Sequence, residues 1–243
     1  MTQNIYDNPE FFAGYSQLLR SVEGLDGAPE WPSLQAKLPA MDGLRVVDLG
    51  CGFGWFCRWA ESVGAASVRG LDVSEKMLER AGADTDGMTV VYERSDLETL
   101  MLAEDSIDLA YSSLTLHYLA NLPRLFAVVH RALVPGGHFV FSVEHPIFTA
   151  PSTPQWTDHP DGHRIWPVDD YLAEGPRTTE WLAPGVVKQH RTVGTYVTLL
   201  VEAGFTITHL EEWGPSDAQI TAHPEWANER DRPPFLLLAC DAR

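Results

Sequence analysis

The stretch Val46-Val47-Asp48-Leu49-Gly50-Cys51-Gly52-Phe53-Gly54, VVDLGCGFG, joins a predicted strand to a predicted helix through three glycines. Residues 44–49 form a short apolar run that ends at the first glycine. Over residues 55–63, apolar side chains recur at helical spacing. Glycines in such a turn let the backbone approach a ligand closely. The stretch therefore predicts an α/β fold with a ligand-binding loop after its first strand.

The glycine spacing does not fit the common nucleotide loops. A dinucleotide-binding loop has the pattern G-x-G-x-x-G, whose third glycine lets the helix pack against the strand. Counting from Gly50 places Trp55 at that third position, and counting from Gly52 places Cys57 there. A Walker phosphate loop would need Gly-Lys-Ser/Thr, which is absent from the stretch. The loop therefore predicts a different ligand.

Short apolar runs alternate with helical segments along the chain, which predicts a parallel sheet built from right-handed βαβ units. The predicted strands are 44–49, 68–73, 89–92, 107–112, 138–143, 205–210 and 235–239. The predicted helices are 55–63, one capped by Ser74, 122–133, and one capped by Thr192 that ends at Gly204. Residues 145–190 break this pattern, being rich in Pro and Trp, and within them 177–182 and 186–190 are predicted to pair as a hairpin.

Composition narrows the class of partner. The 34 acidic and 17 basic residues give a net charge of −17, which disfavours binding to nucleic acid or to anionic membranes. The three cysteines show no paired framework or metal-ligand spacing, and suit a reducing compartment. The N-terminus has no signal-peptide pattern, and no apolar run is long enough to span a bilayer. We therefore predict a cytoplasmic protein of 243 residues with one α/β domain.

The loop has the spacing D-x-G-x-G-x-G, with Asp48 near the end of the strand. It resembles the first motif of class I S-adenosylmethionine (SAM)-dependent methyltransferases. Four further stretches resemble motifs of that family in the same order: Asp72 after the second strand, Asp96 after the third, 108–119 (DLAYSSLTLHYL) and 133–137 (LVPGG). The chain is most similar to the small-molecule branch that includes quinone-biosynthesis methyltransferases. An ordinary strand–helix turn with a surface acid is the alternative for the first motif alone.

The resemblance implies a Rossmann-like, seven-stranded, mostly parallel sheet with an antiparallel last strand and helices on both faces. It also implies an inserted cover segment after strand five. We divide the chain into an N-terminal helical lid (1–40), a SAM-binding core (41–144), a substrate cover (145–190) and the C-terminal part of the core (191–243). By the same resemblance, Asp72 would bind the ribose hydroxyls and Asp96 the adenine amino group. The implied cofactor-binding set is Asp48, Gly50, Cys51, Gly52, Gly54, Asp72, Val73, Met77, Asp96, Leu97 and Ser112 with, from the lid, Tyr15 and Arg20.

Methyl transfer from a sulfonium is a displacement, so the protein must align the acceptor in a dry pocket and supply a base for a protonated nucleophile. Ligands in open α/β sheets lie outside the C-terminal ends of the strands. The candidates for catalysis are therefore His145, His117, Glu144 and His190, with His145 preferred as the base because Pro146 fixes the backbone after it. His117 packing at a helix start and a charged hinge at His190 and Arg191 are the structural alternatives.

The acceptor is predicted to be a small molecule bearing an O, N or C nucleophile, contacted by Trp166, Trp181 and Arg191. Burial of these tryptophans in the core of the cover is the alternative. His159 and His163 would suit a metal, but Pro160 and Gly162 favour a solvated loop, so we predict no metal site. A homodimer is one assembly that we consider.

Two other function classes remain open at this point. A nicotinamide-dependent oxidoreductase would also place an acid such as Asp72 after the second strand, although it does not require Asp48 or Asp96. A non-catalytic SAM-binding regulatory protein would share the whole set of motifs.

Overall fold

The computed structural model describes residues 3–243, so the first two residues of the predicted lid lie outside it. Its strands are β1 Arg45–Leu49, β2 Ser67–Asp72, β3 Val91–Arg94, β4 Ile107–Ser113, β5 Leu133–Glu144, β6 Thr157–Asp158, β7 Arg164–Ile165, β8 Gly175–Thr179, β9 Val186–His190, β10 Phe205–Trp213 and β11 Phe235–Ala242. Its helices are α1 Pro9–Tyr15, α2 Leu19–Val22, α3 Trp31–Gln35, α4 Trp55–Ser62, α5 Glu75–Ala83, α6 Leu122–Ala132, α7 Pro146–Thr149, α8 Val193–Glu202 and α9 Asp217–Ala222. Short 3₁₀ helices span Ile5–Asp7, Leu116–Tyr118 and Pro224–Arg230.

Seven strands form the main sheet in the order β10-β11-β5-β4-β1-β2-β3. The β5-β4-β1-β2-β3 pairs are all parallel, and β11 runs antiparallel to both β5 and β10. The predicted sheet with an antiparallel last strand is therefore confirmed. Because β1 lies between β2 and β4, the strand order reverses there. Open α/β sheets bind their ligands at such a point.

Helices cover both faces of the sheet, as predicted. Apolar side chains of β1 alternate between the two faces, since Val46 packs with Trp31 and Phe56 whereas Val47 packs with Phe126. One face is covered by α3 and α4 and the other by α6 and α8. This two-sided burial holds the C-terminal ends of β1, β2, β4 and β5 at one fixed edge.

The structure shifts several predicted boundaries. Strand β3 begins two residues later than predicted, and β5 begins at Leu133 because the Pro-Gly-Gly turn lies within the strand as a register shift against β4. The predicted hairpin in the cover is present as β8 and β9. A second hairpin, formed by β6 and β7 with two residues in each strand, was not predicted. Ser74 and Thr192 cap α5 and α8 as predicted, each accepting a backbone N–H from the third residue after it.

The lid and the cover pack together over the open edge of the sheet. Ile5 and Phe11 of the lid share an apolar cluster with Ala183 and Val186 of the cover. Gln3 adds two hydrogen bonds between the segments, donating to the Gly185 carbonyl and accepting from the Val187 amide. No helix among residues 3–243 has the length and apolar content needed to cross a membrane.

Candidate active site

One cavity of about 450 Å³ lies at the C-terminal edge of the sheet, beside the point where the strand order reverses. Its walls come from the lid, from the loops after β1, β2, β3, β4 and β5, from the cover and from the segment before β11. This volume is typical of sites for small molecules and cofactors. The cavity therefore lies where the sequence predicted the ligand site.

The three glycines of the first motif have positive φ angles for different physical reasons. A Cβ at Gly50 (φ +84°) would lie 2.2 Å from Thr115 Oγ1, and one at Gly54 (φ +73°) would lie 2.1 Å from the Tyr92 hydroxyl. A Cβ at Gly52 (φ +51°) would meet no protein atom within 4 Å, and Gly52 lines the cavity. The first and third glycines therefore allow close packing within the protein, whereas the second leaves space for a ligand.

Asp72 connects the glycine loop to the end of β2. One carboxylate oxygen accepts the Gly52 N–H at 2.9 Å, and the other accepts the Ser74 N–H at 2.9 Å. The side chain is buried and lines the cavity, and burial raises its pKa. Each carboxylate oxygen can accept more than one hydrogen bond, so the predicted contact to ribose hydroxyls fits this geometry.

The lid is tied to the same loop by a residue that the sequence did not indicate. Asp7 accepts the Ser74 hydroxyl at 2.6 Å, and its backbone carbonyl accepts the Lys76 ammonium at 2.8 Å. Burial would raise the pKa of Asp7, but hydrogen bonds from the Ser74 hydroxyl and the Lys76 backbone N–H to its carboxylate lower it. No local motif marks Asp7, because its partners lie 67 and 69 residues away.

Asp48 lies beneath the glycine loop and lines a smaller, adjoining cavity of about 90 Å³ together with Tyr15, Arg20 and Cys51. It is 3% exposed, and burial raises its pKa to about 7. Its carboxylate accepts the Cys57 thiol at 3.4 Å and forms no ion pair with any residue among 3–243. A buried carboxylate without a cation is costly unless a ligand supplies the charge. This orphaned acid fits the α-ammonium group of SAM.

The other residues of the predicted cofactor set divide into two groups. Val73, Met77, Asp96 and Leu97 line the larger cavity. Ser112 is fully buried and donates to the Leu49 carbonyl at 2.7 Å, whereas its neighbour Ser113, which the predicted cofactor set does not include, lines the cavity. Ser112 thus connects β4 to β1. Gly54 is the N-cap residue of α4 and lies close to the Tyr92 ring. Neither Ser112 nor Gly54 lines the larger cavity. We therefore correct their predicted role from contact with the cofactor to support of the residues around it.

The loop after β4 carries a strained residue on the cavity wall. Leu114 has φ +52°, a conformation that is uncommon for a residue other than glycine. Its N–H donates to the Ser142 carbonyl at 3.0 Å, and Thr115 next to it packs against Gly50. Leu114 and Thr115 both line the cavity. The loop therefore lies between the glycine turn and the rest of the cavity.

His117 is a neutral hydrogen-bond donor in this geometry. Its Nδ1 accepts the Glu144 backbone N–H at 3.3 Å, and burial lowers its pKa to about 4. A neutral imidazole carries one proton, so that proton is on Nε2. Because His117 lines the cavity, the free Nε2–H can donate to a ligand there. The predicted place of His117 in the site thus fits the structure, but as a donor rather than a base.

Glu144 lines the cavity and pairs with a buried lysine of the cover. Lys188 Nζ donates to Glu144 Oε1 at 2.5 Å and lies 4.8 Å from the centre of the Trp181 ring. Oε2 of Glu144 is buried and has no hydrogen-bond partner among residues 3–243. Trp181 also lines the cavity. Glu144 thus has a buried, unpaired carboxylate oxygen in the wall where the sequence predicted acceptor contacts.

The lid brings both of its predicted residues to the cavity. Tyr15 packs edge-on against Tyr6 and Phe53, and Arg20 donates through Nη2 to both carboxylate oxygens of Glu30. Glu30 is fully buried, so its charge is balanced by Arg20. Tyr15 and Arg20 line both cavities and therefore adjoin the predicted cofactor site.

His145 and His190 do not line either cavity, and both of their ring nitrogens already have partners. His145 Nδ1 accepts the Ile147 N–H at 3.0 Å, so Nε2 carries the proton and donates to Glu212 at 2.9 Å. His190 Nε2 donates to the Tyr171 carbonyl at 2.9 Å, and its Nδ1 accepts the Thr149 hydroxyl at 2.8 Å. Burial lowers the pKa of both rings. The geometry corrects both predicted bases to structural roles in the cover.

Trp166 and Arg191 also lie behind the cavity wall rather than in it. Trp166 donates to the Ile147 carbonyl at 2.9 Å and stacks on Phe148, which does line the cavity. Arg191 donates through Nη2 to the carbonyls of Leu119 and Ala120 and so holds the loop after β4. Of the three predicted substrate contacts, only Trp181 reaches the cavity.

The segment that precedes β11 forms a part of the cavity wall that the sequence did not predict. Its cavity-lining members include Trp226, Glu229, Arg232 and Pro234. The predicted division of the chain places this segment, as part of 191–243, in the C-terminal part of the core. It folds into α9 and a 3₁₀ helix, and Gln219 fastens it to the lid by donating to the Pro29 carbonyl at 2.8 Å.

The two histidines of the cover form a cluster with Asp161 at the surface. Asp161 accepts from His159 and His163, whose rings stack 4.6 Å apart, and the three ligand atoms lie within 4.8 Å of one another. A metal ion could be held by this group, but all three residues are largely exposed and already bonded to one another. The predicted solvated loop matches their exposure.

Comparison with known proteins places this site in a family. A family model described as a methyltransferase domain matches residues 47–141. The crystal structure of an S-adenosylmethionine-dependent methyltransferase from Mesorhizobium loti is 61% identical, covers 90% of this chain and 100% of its own, and superposes with a TM-score of 0.87.

Two further relatives differ in how much of the chain they match. An uncharacterised protein of Haemophilus influenzae is 32% identical over 97% of this chain and 95% of its own length. The malonyl-[acyl-carrier protein] O-methyltransferase of Pectobacterium atrosepticum is 37% identical over 45% of this chain and 42% of its own. With the cavity, the glycine loop and the orphaned Asp48, these matches lead to one conclusion: the chain belongs to the S-adenosylmethionine-dependent methyltransferases.

Proposed function

We propose that the protein transfers the methyl group of SAM to a small-molecule acceptor bound in the half of the cavity that faces the cover. The observation that carries this proposal is the continuity of the cavity. Asp72 and Gly52 line it at one end and Trp181, Phe148 and the segment before β11 at the other, with the loop after β4 between them. A donor and an acceptor bound there would meet beside that loop.

In this proposal the cofactor supplies a sulfonium-bound methyl group, and the protein supplies binding, orientation and exclusion of water. Asp48 and Asp72 bind its charged and hydroxyl groups, while the Gly52 backbone leaves room for it. The aromatic side chains of the lid and cover exclude water from the reacting centre. Tyr6, Tyr118 and Trp181 form that layer, within an edge-on cluster of rings.

His117 and Glu144 are the residues that we propose to orient the acceptor. The Nε2–H of His117 is suited to an acceptor oxygen or nitrogen that carries a lone pair. The unpaired Oε2 of Glu144 is suited to an acceptor hydroxyl or amine, whose proton it can take. Lys188 donates to Glu144 at Oε1 within the buried wall, which leaves Oε2 as the oxygen without a partner among residues 3–243.

An acceptor panel read out by release of S-adenosylhomocysteine tests this function. We expect turnover with at least one small molecule, and a loss of about 10²–10⁴-fold in kcat in Glu144→Gln when the acceptor nucleophile is protonated. Glu212→Gln is the matched control, because Glu212 pairs with His145 and does not line the cavity. Full activity of Glu144→Gln would remove its role as a base, and SAM binding without turnover of any acceptor would favour a non-catalytic protein.

The pH dependence separates His117 from a titrating base. Because its pKa is lowered to about 4, His117 stays neutral across the neutral range, and we expect no step in kcat between pH 6 and 9 that disappears in His117→Ala. The loss of one neutral hydrogen bond should lower kcat/KM by about 2–10-fold. A limb near pH 6.5 that vanishes in this variant would show that His117 ionises during the reaction.

The cytoplasmic location and the homodimer considered from the sequence stay predictions. Light scattering on the purified protein tests the dimer.

A further inference from the structure

Arg232 is a buried cation on the acceptor side of the cavity. Its side chain is 5% exposed and lines the cavity wall. The guanidinium carbon lies 4.3 Å from the centre of the Phe148 ring, 4.2 Å from that of Trp166 and 5.2 Å from that of Trp156. These aromatic faces stabilise a desolvated guanidinium and fix its plane.

The hydrogen bonding of this guanidinium is incomplete. Its Nη2 pairs with Glu229, whose side chain is 28% exposed and therefore partly solvated. Its Nε is buried and has no hydrogen-bond partner among residues 3–243. A guanidinium has five N–H donors, and a buried donor without an acceptor is costly. An acceptor oxygen is therefore missing at this place.

Arg20 is the other cation among residues 3–243 that lines the cavity, and it faces the fully buried Glu30. Lys188 lies behind the wall and is bonded to Glu144. Arg232 is the cation whose carboxylate partner is the most exposed of the three. A negatively charged ligand entering the cavity would find its strongest available partner there.

We propose, on the basis of the methyl transfer proposed above, that the acceptor carries a carboxylate and that Arg232 binds it. A carboxylate is planar and monoanionic, and it matches the fixed edge of a guanidinium. A phosphate dianion would bring two charges to a single cation that already faces Glu229, in a chain whose net charge is −17. Tight carboxylate binding at Arg232 would also turn the rest of the acceptor toward the aromatic wall.

Ligand pairs that differ only in charge test the assignment. The probes are benzoate with benzamide, phenylacetate with phenylacetamide and hexanoate with hexanamide, titrated by calorimetry into the full chain saturated with S-adenosylhomocysteine. We expect at least one carboxylate to bind tenfold or more tightly than its amide. Arg232→Gln should abolish that ratio, whereas Glu229→Gln should increase it because it removes the competing acid.

Arg164→Gln is the matched control, because its guanidinium also lies over Trp156, at 5.5 Å, but does not line the cavity. It should leave the ratio unchanged. If Arg232→Gln does not fold, Arg232→Lys keeps the charge and removes Nε–H, and it should lose most of the preference for the carboxylate.

Three results would overturn the inference. One is that no carboxylate binds more tightly than its amide. Another is that Arg232→Gln and Glu229→Gln both lower the unfolding temperature but leave the ratio of carboxylate to amide affinity unchanged. That result is expected if the Arg232–Glu229 ion pair only stabilises the packing of the cover. The third is tighter binding of phenyl phosphate than of benzoate. Failure of the wild-type protein to bind S-adenosylhomocysteine would instead contradict the proposed function, on which this inference rests.

Discussion

The two ends of the cavity are built in different ways. At the cofactor end, the loops after β1 and β2 are held by backbone N–H groups that donate to the Asp72 carboxylate and by three glycines with positive φ, all within residues 48–74. At the acceptor end, the wall consists of side chains from the lid, the cover and the segment before β11, which meet across long stretches of chain. The first end is thus specified locally, and the second depends on tertiary packing. Substitutions should therefore affect the two ends separately.

The largest effect is expected from Gly52→Val. Its side chain would enter the space left for the ligand, and its positive φ would add about 1–3 kcal/mol of strain. We expect the affinity for S-adenosylhomocysteine to fall by at least about 100-fold, which corresponds to about 2.7 kcal/mol. Gly43→Val is the matched control, since Gly43 has φ +76° and open space but does not line the cavity. Normal binding by a folded Gly52→Val protein would require the loop to be reassigned.

A smaller loss is expected from Asp72→Ala. Removing a charge-assisted contact to the ribose should cost about 1.5–3 kcal/mol, or about 10–150-fold in affinity for SAM. Asp72→Asn keeps one oxygen acceptor and should lie between the wild type and the alanine variant. Calorimetry on the three proteins gives the comparison. Unchanged affinity in a folded Asp72→Ala protein would contradict the ribose assignment.

Replacing Asp48 by asparagine should have opposite effects on the stability of the fold and on the binding of S-adenosylhomocysteine. The pKa of Asp48 is raised by burial to about 7, so the folded protein holds a proton that the unfolded chain releases above about pH 4. This carboxyl therefore lowers stability as the pH rises from about 4 to about 7. Asp48→Asn should be more stable than the wild type by about 1–4 kcal/mol at pH 8, with a smaller gain at pH 5.

The same Asp48→Asn substitution should weaken the binding of S-adenosylhomocysteine, because the ligand ammonium loses its counter-charge. Wild-type affinity should decrease as the pH falls below about 7, and the variant should not show that decrease. Urea unfolding and calorimetry at both pH values measure the two effects. A variant that is less stable at pH 8 and binds normally would show that Asp48 has a structural role.

The smallest effect on catalysis is expected from His145→Ala. His145 caps α7 and bonds Glu212 outside the cavity, so we expect a loss of stability of about 1–2 kcal/mol and a change in kcat of less than about twofold. Unfolding curves and a pH–rate profile are the measurements. A folded variant with kcat reduced by about 10²–10⁴-fold would restore His145 as the general base.

The difference between the two ends also explains what the sequence could predict. Gly52, Asp72 and the strand order follow from short motifs and apolar periodicity, because the contacts that define them are local or lie within one sheet. The sequence predicts that His145 follows β5, but it does not reveal the partner Glu212, which lies 67 residues away. The predicted role of His145 as a base therefore differs from the role that the structure gives it. Arg232 was missed for the same reason, since the rings around it belong to a cover that has no periodic pattern. A local motif predicts the course of the backbone. It does not predict which distant side chain forms a hydrogen bond with a histidine ring nitrogen.

Titration of the purified protein with S-adenosylhomocysteine and with NADH tests whether the glycine loop binds SAM or a nicotinamide dinucleotide. We expect one site for S-adenosylhomocysteine and no binding of NADH. Gly52→Val should lower the affinity for S-adenosylhomocysteine by at least about 100-fold, and Arg232→Gln should leave it within about twofold of the wild type. Tight binding of NADH without S-adenosylhomocysteine, or equal losses of S-adenosylhomocysteine affinity in the two variants, would contradict these expectations.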